Sequence, residues 1–224
     1  MTLAARSNAA APLRPQSRDT LAKSNKGDLV NILRSALAAL AFLLLAACYP
    51  PTTSHPVGST SGLKLDPALT GLWKAPPNDP DERGTYLHFL PKLDGTLTII
   101  MVQSGDKPDA DWSQIAATTG KAGANRYMNA QLLGSDGKPD KGSPGGTVPV
   151  LYRFDAKGRL MLYLMNEDRT KAAIKAGKIK GTVGKGEYGD AVITLDAPSL
   201  DRFMASPAAL ALFAKPFLTL HRME

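Results

Sequence analysis

The stretch GTYLHFLPKLDGTLTIIMVQ, residues 84–103, decides the fold class. Tyr86, His88 and Leu90 fall on one face of an extended chain, and Leu87 and Phe89 on the other. That two-residue period is the mark of a half-buried strand. Asp94-Gly95 is a tight-turn pair. Leu97, Ile99 and Met101 then share a face in a second run. The stretch reads as a hairpin, and antiparallel β structure is expected to grow from it.

Working toward the C-terminus, residues 111–118 (DWSQIAAT) predict one or two helical turns, stopped by Gly120 and Gly123. A strand is predicted over 126–133 and a loop over 134–146. Residues 148–154 and 159–165 form a second hairpin across 155–158. Val150, Tyr152 and Phe154 share one face of it, as do Leu160, Leu162 and Leu164. Residues 167–176 carry the best helix signal: Asn166 as cap, Glu167 and Asp168 at the positive end, Lys175 near the negative end, Gly177 as stop. Strands near 178–183 and 191–195 follow. Pro198 and Ser206-Pro207 introduce short helices, and 217–222 is a closing strand. A weak internal echo runs through this order: hairpin, short helix, strand occurs at 85–133 and again at 148–184. The expected class is mainly β with a minor α part: an antiparallel sheet or barrel built from hairpins, with two or three short helices. Residues 67–224 suffice for one domain with a sizeable core.

Upstream of the first hairpin, Gly71-Leu72-Trp73 opens a strand. This triplet resembles the G-x-W of lipocalin-like barrels. In that family an Arg near the end of the barrel packs over the Trp, and Arg222 occupies the matching place. The resemblance implies a closed barrel. The residue pattern alone leaves an open sheet packed on helices equally available.

Further upstream, residues 49–65 are rich in Pro, Ser, Thr and Gly, so 48–66 reads as a flexible tether. Before it, residues 36–48 (ALAALAFLLLAAC) form an uncharged apolar run behind Arg34. The run is shorter than the ~20 residues needed to span a bilayer, and Pro50 and Pro51 block its continuation as a helix. A basic region, a short apolar region and small residues make a secretory signal peptide over 1–47. Translation starting near Leu29 would shorten it. Leu45-Ala46-Ala47-Cys48 resembles the lipobox of bacterial lipoproteins. That resemblance implies cleavage before Cys48, a diacylglycerol thioether on its sulfur and an acylated new N-terminus. Tyr49, standing where an Asp would retain such proteins, implies the periplasmic leaflet of the outer membrane.

The net charge of +7 misleads. Residues 1–47 hold six of the 27 Lys and Arg and two of the 20 Asp and Glu, which leaves the rest near +3. Nucleic-acid binding wants a concentrated basic footprint, so it is not expected. With the single Cys spent on an anchor, no disulfide or thiolate metal site is expected either.

His55 lies in the tether, while His88 and His221 sit in distant strands without metal-ligand spacing. Residues 184–189 spell G-x-G-x-x-G, but a strand follows instead of the helix that a dinucleotide requires. Ser61–Lys64, Ser104–Lys107 and Ser135–Lys138 each give S-x-x-K in turns or linker, without the buried setting of a nucleophile. Neither an enzyme nor a cofactor or metal is expected. Arg169, Lys171, Lys175, Lys178 and Lys180 make a basic stretch, read either as a solvated face with a guarded sheet edge or as a contact for anionic headgroups or polymer. Two functions follow: an anchored accessory module contacting an envelope protein or polymer, or a lipocalin-like carrier of a small apolar ligand.

Overall fold

The computed structural model describes residues 50–76, 83–104, 111–133, 137–138, 146–184 and 190–223. Eight strands form a closed antiparallel barrel: β2 (Gly71–Ala75), β3 (Arg83–Pro91), β4 (Leu97–Ser104), β5 (Asp111–Ala122), β6 (Asn125–Leu133), β7 (Val148–Phe154), β8 (Leu160–Tyr163) and β11 (Leu218–Arg222). Each pairs with the next, and β11 closes the ring by pairing with both β8 and β2. A satellite sheet runs in the order β1 (Thr52–Thr53), β10 (Ala191–Ile193), β9 (Gly181–Val183), with β1 parallel to β10. Among the described residues three helices complete the fold: α1 (Glu167–Lys175), α2 (Ala197–Met204) and α3 (Pro207–Leu210). The mainly β class, the hairpins and the short helices are as expected, and the ring is a barrel rather than an open sheet.

The alternation in the first hairpin points one face of each strand inward. Leu87 faces Met101 and Phe89 faces Ile99 across the β3–β4 ladder. The barrel core takes these together with Trp73, Leu97, Ala117, Met128, Val150, Tyr152, Leu160, Leu162 and Leu220. A second core lies outside the ring. There Tyr127 and Leu151, on the outer faces of β6 and β7, are covered by Val57, Met165, Ile179, Ile193, Leu200, Met204 and Phe213. The helices serve this outer core. α1 is capped by Asn166, whose side chain accepts the Arg169 N–H at 2.9 Å. At the end of α2, the carbonyl of Met204 accepts from the Tyr127 hydroxyl at 2.8 Å, which satisfies an orphan acceptor that every helix end leaves.

Two expectations are corrected. Residues 111–118 are not helical turns but the first part of β5, a twelve-residue strand. Ladder partners on both sides, Ile99 of β4 and Leu132 of β6 flanking Ile115, override the helix preference of the Ala pair. The internal echo disappears with that helix.

The second correction concerns residues 50–66, which are not a free tether. Pro51, Thr52, Thr53, Val57 and Gly58 are buried. Thr53 exchanges backbone hydrogen bonds with Thr147 at 2.9 and 3.0 Å, and Ser54 N–H donates to the Ile193 carbonyl. Buried Asn129 then grips Val57 from both sides: its Oδ1 accepts the Val57 N–H at 2.7 Å and its Nδ2 donates to the Val57 carbonyl at 3.0 Å. The next residue meets β5 backbone to backbone. Gly58 has φ +85°, and a Cβ there would lie 2.5 Å from the Lys121 nitrogen, so only glycine fits. The segment is a strap, and it ends in the 3-10 turn Pro67–Leu69 that leads into β2.

Candidate functional site

Trp73 sits at the end of the barrel where the strap arrives. Its ring is 1 % exposed, its Nε1–H donates to the Leu69 carbonyl at 2.8 Å, and Phe154 lies 6.0 Å away. The Arg222 guanidinium lies over the ring at 4.4 Å and donates to the carbonyls of Thr70 at 2.7 Å and Ala68 at 2.6 Å. Gly71, at φ +117°, leaves room for it, because a Cβ there would come within 2.9 Å of Arg222 Nη1. The structure thus brings Gly71, Trp73 and Arg222 together as a seal. Around it Phe89, Leu160 and Leu220 are 0 % exposed, and Leu97 and Ile99 1 %. A ligand-sized void would leave its lining wetted, so this half of the barrel is solid.

Outside the seal lies an open cleft of about 1180 Å³, between the strap, the β5–β6 hairpin and α2. Its polar hub is Asp66. The carboxylate accepts from the Tyr152 hydroxyl at 2.8 Å, from Arg126 Nη1 at 3.3 Å and from the Ala68 N–H at 3.1 Å, while Asp66 N–H donates to Thr119 Oγ1. Asp201 is likewise engaged: it accepts from the N–H groups of Gly58 at 2.6 Å and Thr60 at 3.1 Å and from the Thr60 hydroxyl. Among the described residues four cations line the same cleft: Lys64, Lys121, Arg126 and Arg202.

Two phenols are shifted, Tyr152 at the cleft and Tyr127 in the outer core beside it. Burial pushes Tyr127 far above the ordinary tyrosine range. Burial does the same for Tyr152, helped by the Asp66 carboxylate it donates to. Both groups fold in the neutral form, and their raised folded-state pKa makes their contribution complete below about pH 10, the unfolded value. Stability is therefore expected to fall as pH climbs above that point. A phenolate absorbance titration should show the Tyr127 and Tyr152 phenols ionising only as the circular dichroism signal is lost.

The other sequence candidates are dispersed. Of the basic stretch, Arg169 is committed to the Ala211 carbonyl at 2.8 Å, and Lys171 pairs with Glu167. Lys175, Lys178 and Lys180 are exposed, the last two just before β9, the edge of the satellite sheet. His88 and His221 are exposed on the outer face of the barrel, on either side of β2. Among the described residues no group of three His, Cys, Asp or Glu is placed to hold a metal, and no helix is long and apolar enough to cross a membrane. Cys48, the leader, and residues 185–189 of the glycine-rich turn lie outside the described residues. Sequence reading missed Asp66 and the cleft cations, since these gather only once β5 and β6 pair and the strap is laid beside them. No family model matches the chain, and no curated protein or solved structure is significantly similar to it.

Proposed function

We propose that this chain is a lipid-anchored protein of the bacterial envelope, held through Cys48 at the periplasmic face of the outer membrane. In this reading its barrel is a non-catalytic accessory module that engages an envelope protein or polymer on its outer surface. One observation carries the module reading: the sealed half of the barrel is filled by Trp73, Phe89, Leu97, Ile99, Leu160 and Leu220, while the large concavity lies outside the ring. A core at that density offers packing rather than a container.

A second reading, carriage of a small apolar ligand, draws on the opposite half. There the inward-facing Met101, Ile115, Ala130, Val148, Leu164 and Leu218 are only half-buried. Among the described residues the buried Ser113 hydroxyl, on the same face, has no partner.

Two measurements test the proposal. Mass spectrometry of the N-terminal peptide should find Cys48 as the first residue, carrying acyl chains, and a Cys48→Ala chain should leave the membrane fraction. An unmodified Cys48 removes the anchor. Native mass spectrometry of protein purified from envelope should give the bare chain mass. A stoichiometric small apolar adduct would favour the carrier instead.

A further inference from the structure

We infer that the cleft beside the seal grips an extended polyanion, specifically a carboxylate-bearing glycan–peptide polymer of the cell wall. The inference deepens the module reading and rests on it for the polymer's presence in the same compartment, though not for the binding itself.

The carrying observation is a broken local rule. β5 outruns β4, whose ladder ends at the Leu97–Ala117 pair, so the β5–β6 hairpin projects past the barrel rim. Along its inner face the cross-strand pairs run Ala117 with Ala130, Thr119 with Met128, then Lys121 with Arg126. Apolar core thus gives way to two like charges set directly opposite each other, an arrangement that weakens a sheet. Proteins depart from such rules at sites kept for function. Among the described residues only Asp66 answers the pair with a carboxylate, and of the two cations it bonds Arg126, through a single nitrogen. Lys121 has no ion pair among the described residues. Lys64 from the strap and Arg202 from α2 bring further positive charge to the same cleft from two other segments. Among the described residues the two carboxylates of the lining, Asp66 and Asp201, are already engaged by Tyr152, Arg126 and backbone N–H groups, so four cations face two acids there.

Size and spacing select the ligand. At about 1180 Å³ and only partly enclosed, the cleft exceeds the ~300–1,000 Å³ of small-molecule pockets, so a polymer segment fits better than a metabolite. Its cations stand on four separate elements rather than around a nest of consecutive N–H groups, the arrangement that cradles phosphate. Dispersed single charges match carboxylates spaced along a chain. Arg126 already shows the chemistry by holding Asp66 through one nitrogen while its side chain stays 44% exposed.

The test is co-sedimentation of the full-length chain, purified in detergent, with isolated cell-wall sacculi. The wild type should sediment and be released by salt. A Lys121→Glu/Arg202→Glu chain should bind on the order of tenfold more weakly, while Lys175→Glu/Lys178→Glu, on the other basic stretch, should bind as wild type. Circular dichroism of each checks folding. Lys121→Gln should raise the melting temperature in the absence of polymer, because it relieves the like-charge pair; a merely structural Lys121 would give the reverse. Undiminished sedimentation of the cleft variant, a wild type that stays in the supernatant, or a preference for lipopolysaccharide micelles over sacculi overturns the inference. A Cys48 found unlipidated would leave this assay unchanged, so the two proposals fail separately.

Discussion

Trp73→Ala is expected to lower stability by about 3–5 kcal/mol, the range for removing a buried Trp or Phe from a core. That is a large part of the ~5–15 kcal/mol available to a domain of this kind. At roughly 2–4 °C per kcal/mol for this size, the melting temperature should drop by on the order of 10 °C. The loss has three sources in one place: ring area buried against Phe154, the Nε1–H bond to Leu69, and the stacked guanidinium of Arg222. Trp73→Phe keeps most of the area and loses the hydrogen bond, so it should fall between. Thermal melts followed by circular dichroism check both. An alanine variant within about 1 kcal/mol of wild type would mean that the seal does not depend on this ring.

The second large effect is expected at Asn129, 2 % exposed in the wall beneath the strap. Asn129→Leu keeps the volume and removes both hydrogen bonds to Val57. It leaves a buried N–H and a buried carbonyl without partners, at about 1–3 kcal/mol each. The damage should be local before it is global. Amide exchange of residues 57–66 should quicken by orders of magnitude, with proteolysis following there, while the barrel strands β3 and β4 keep their protection. Uniform acceleration across the barrel would instead make the strap part of the cooperative core.

The two hairpins and the caps of α1 were legible because their information is local. Alternation in 84–103, Gly158 at φ +74° in the second turn and Asn166 at a helix start all act within a few residues. The strap was not legible because its own composition is that of a linker. What holds it is supplied by Asn129, Thr119 and Asp201, 53 to 143 residues away along the chain. Residues 111–118 misread for a related reason: Ala116 and Ala117 suit a helix, and only the partners on both sides make them strand. The cleft was lost with that misreading. Once 111–122 is extended, the two-residue turn Gly123–Ala124 sets Lys121 opposite Arg126, and the like-charge pair is readable from KAGANR. The basic stretch shows the opposite limit. Its composition could not reveal that Arg169 and Lys171 are spent within the fold.

The strap also fixes an altitude. The chain is packed from Pro51 onward, so only Tyr49 and Pro50 lie between that point and Cys48. At about 3.3–3.6 Å per residue, three steps reach at most about 11 Å. A lipid on Cys48 would therefore moor the barrel on a very short line, close over the headgroups, with no slack to swing outward. Under such a mooring the protein does not search the compartment. Whatever it grips is drawn down to the bilayer and kept there, and lengthening the line by inserting a flexible segment after Cys48 would change the height of the grip without touching its chemistry.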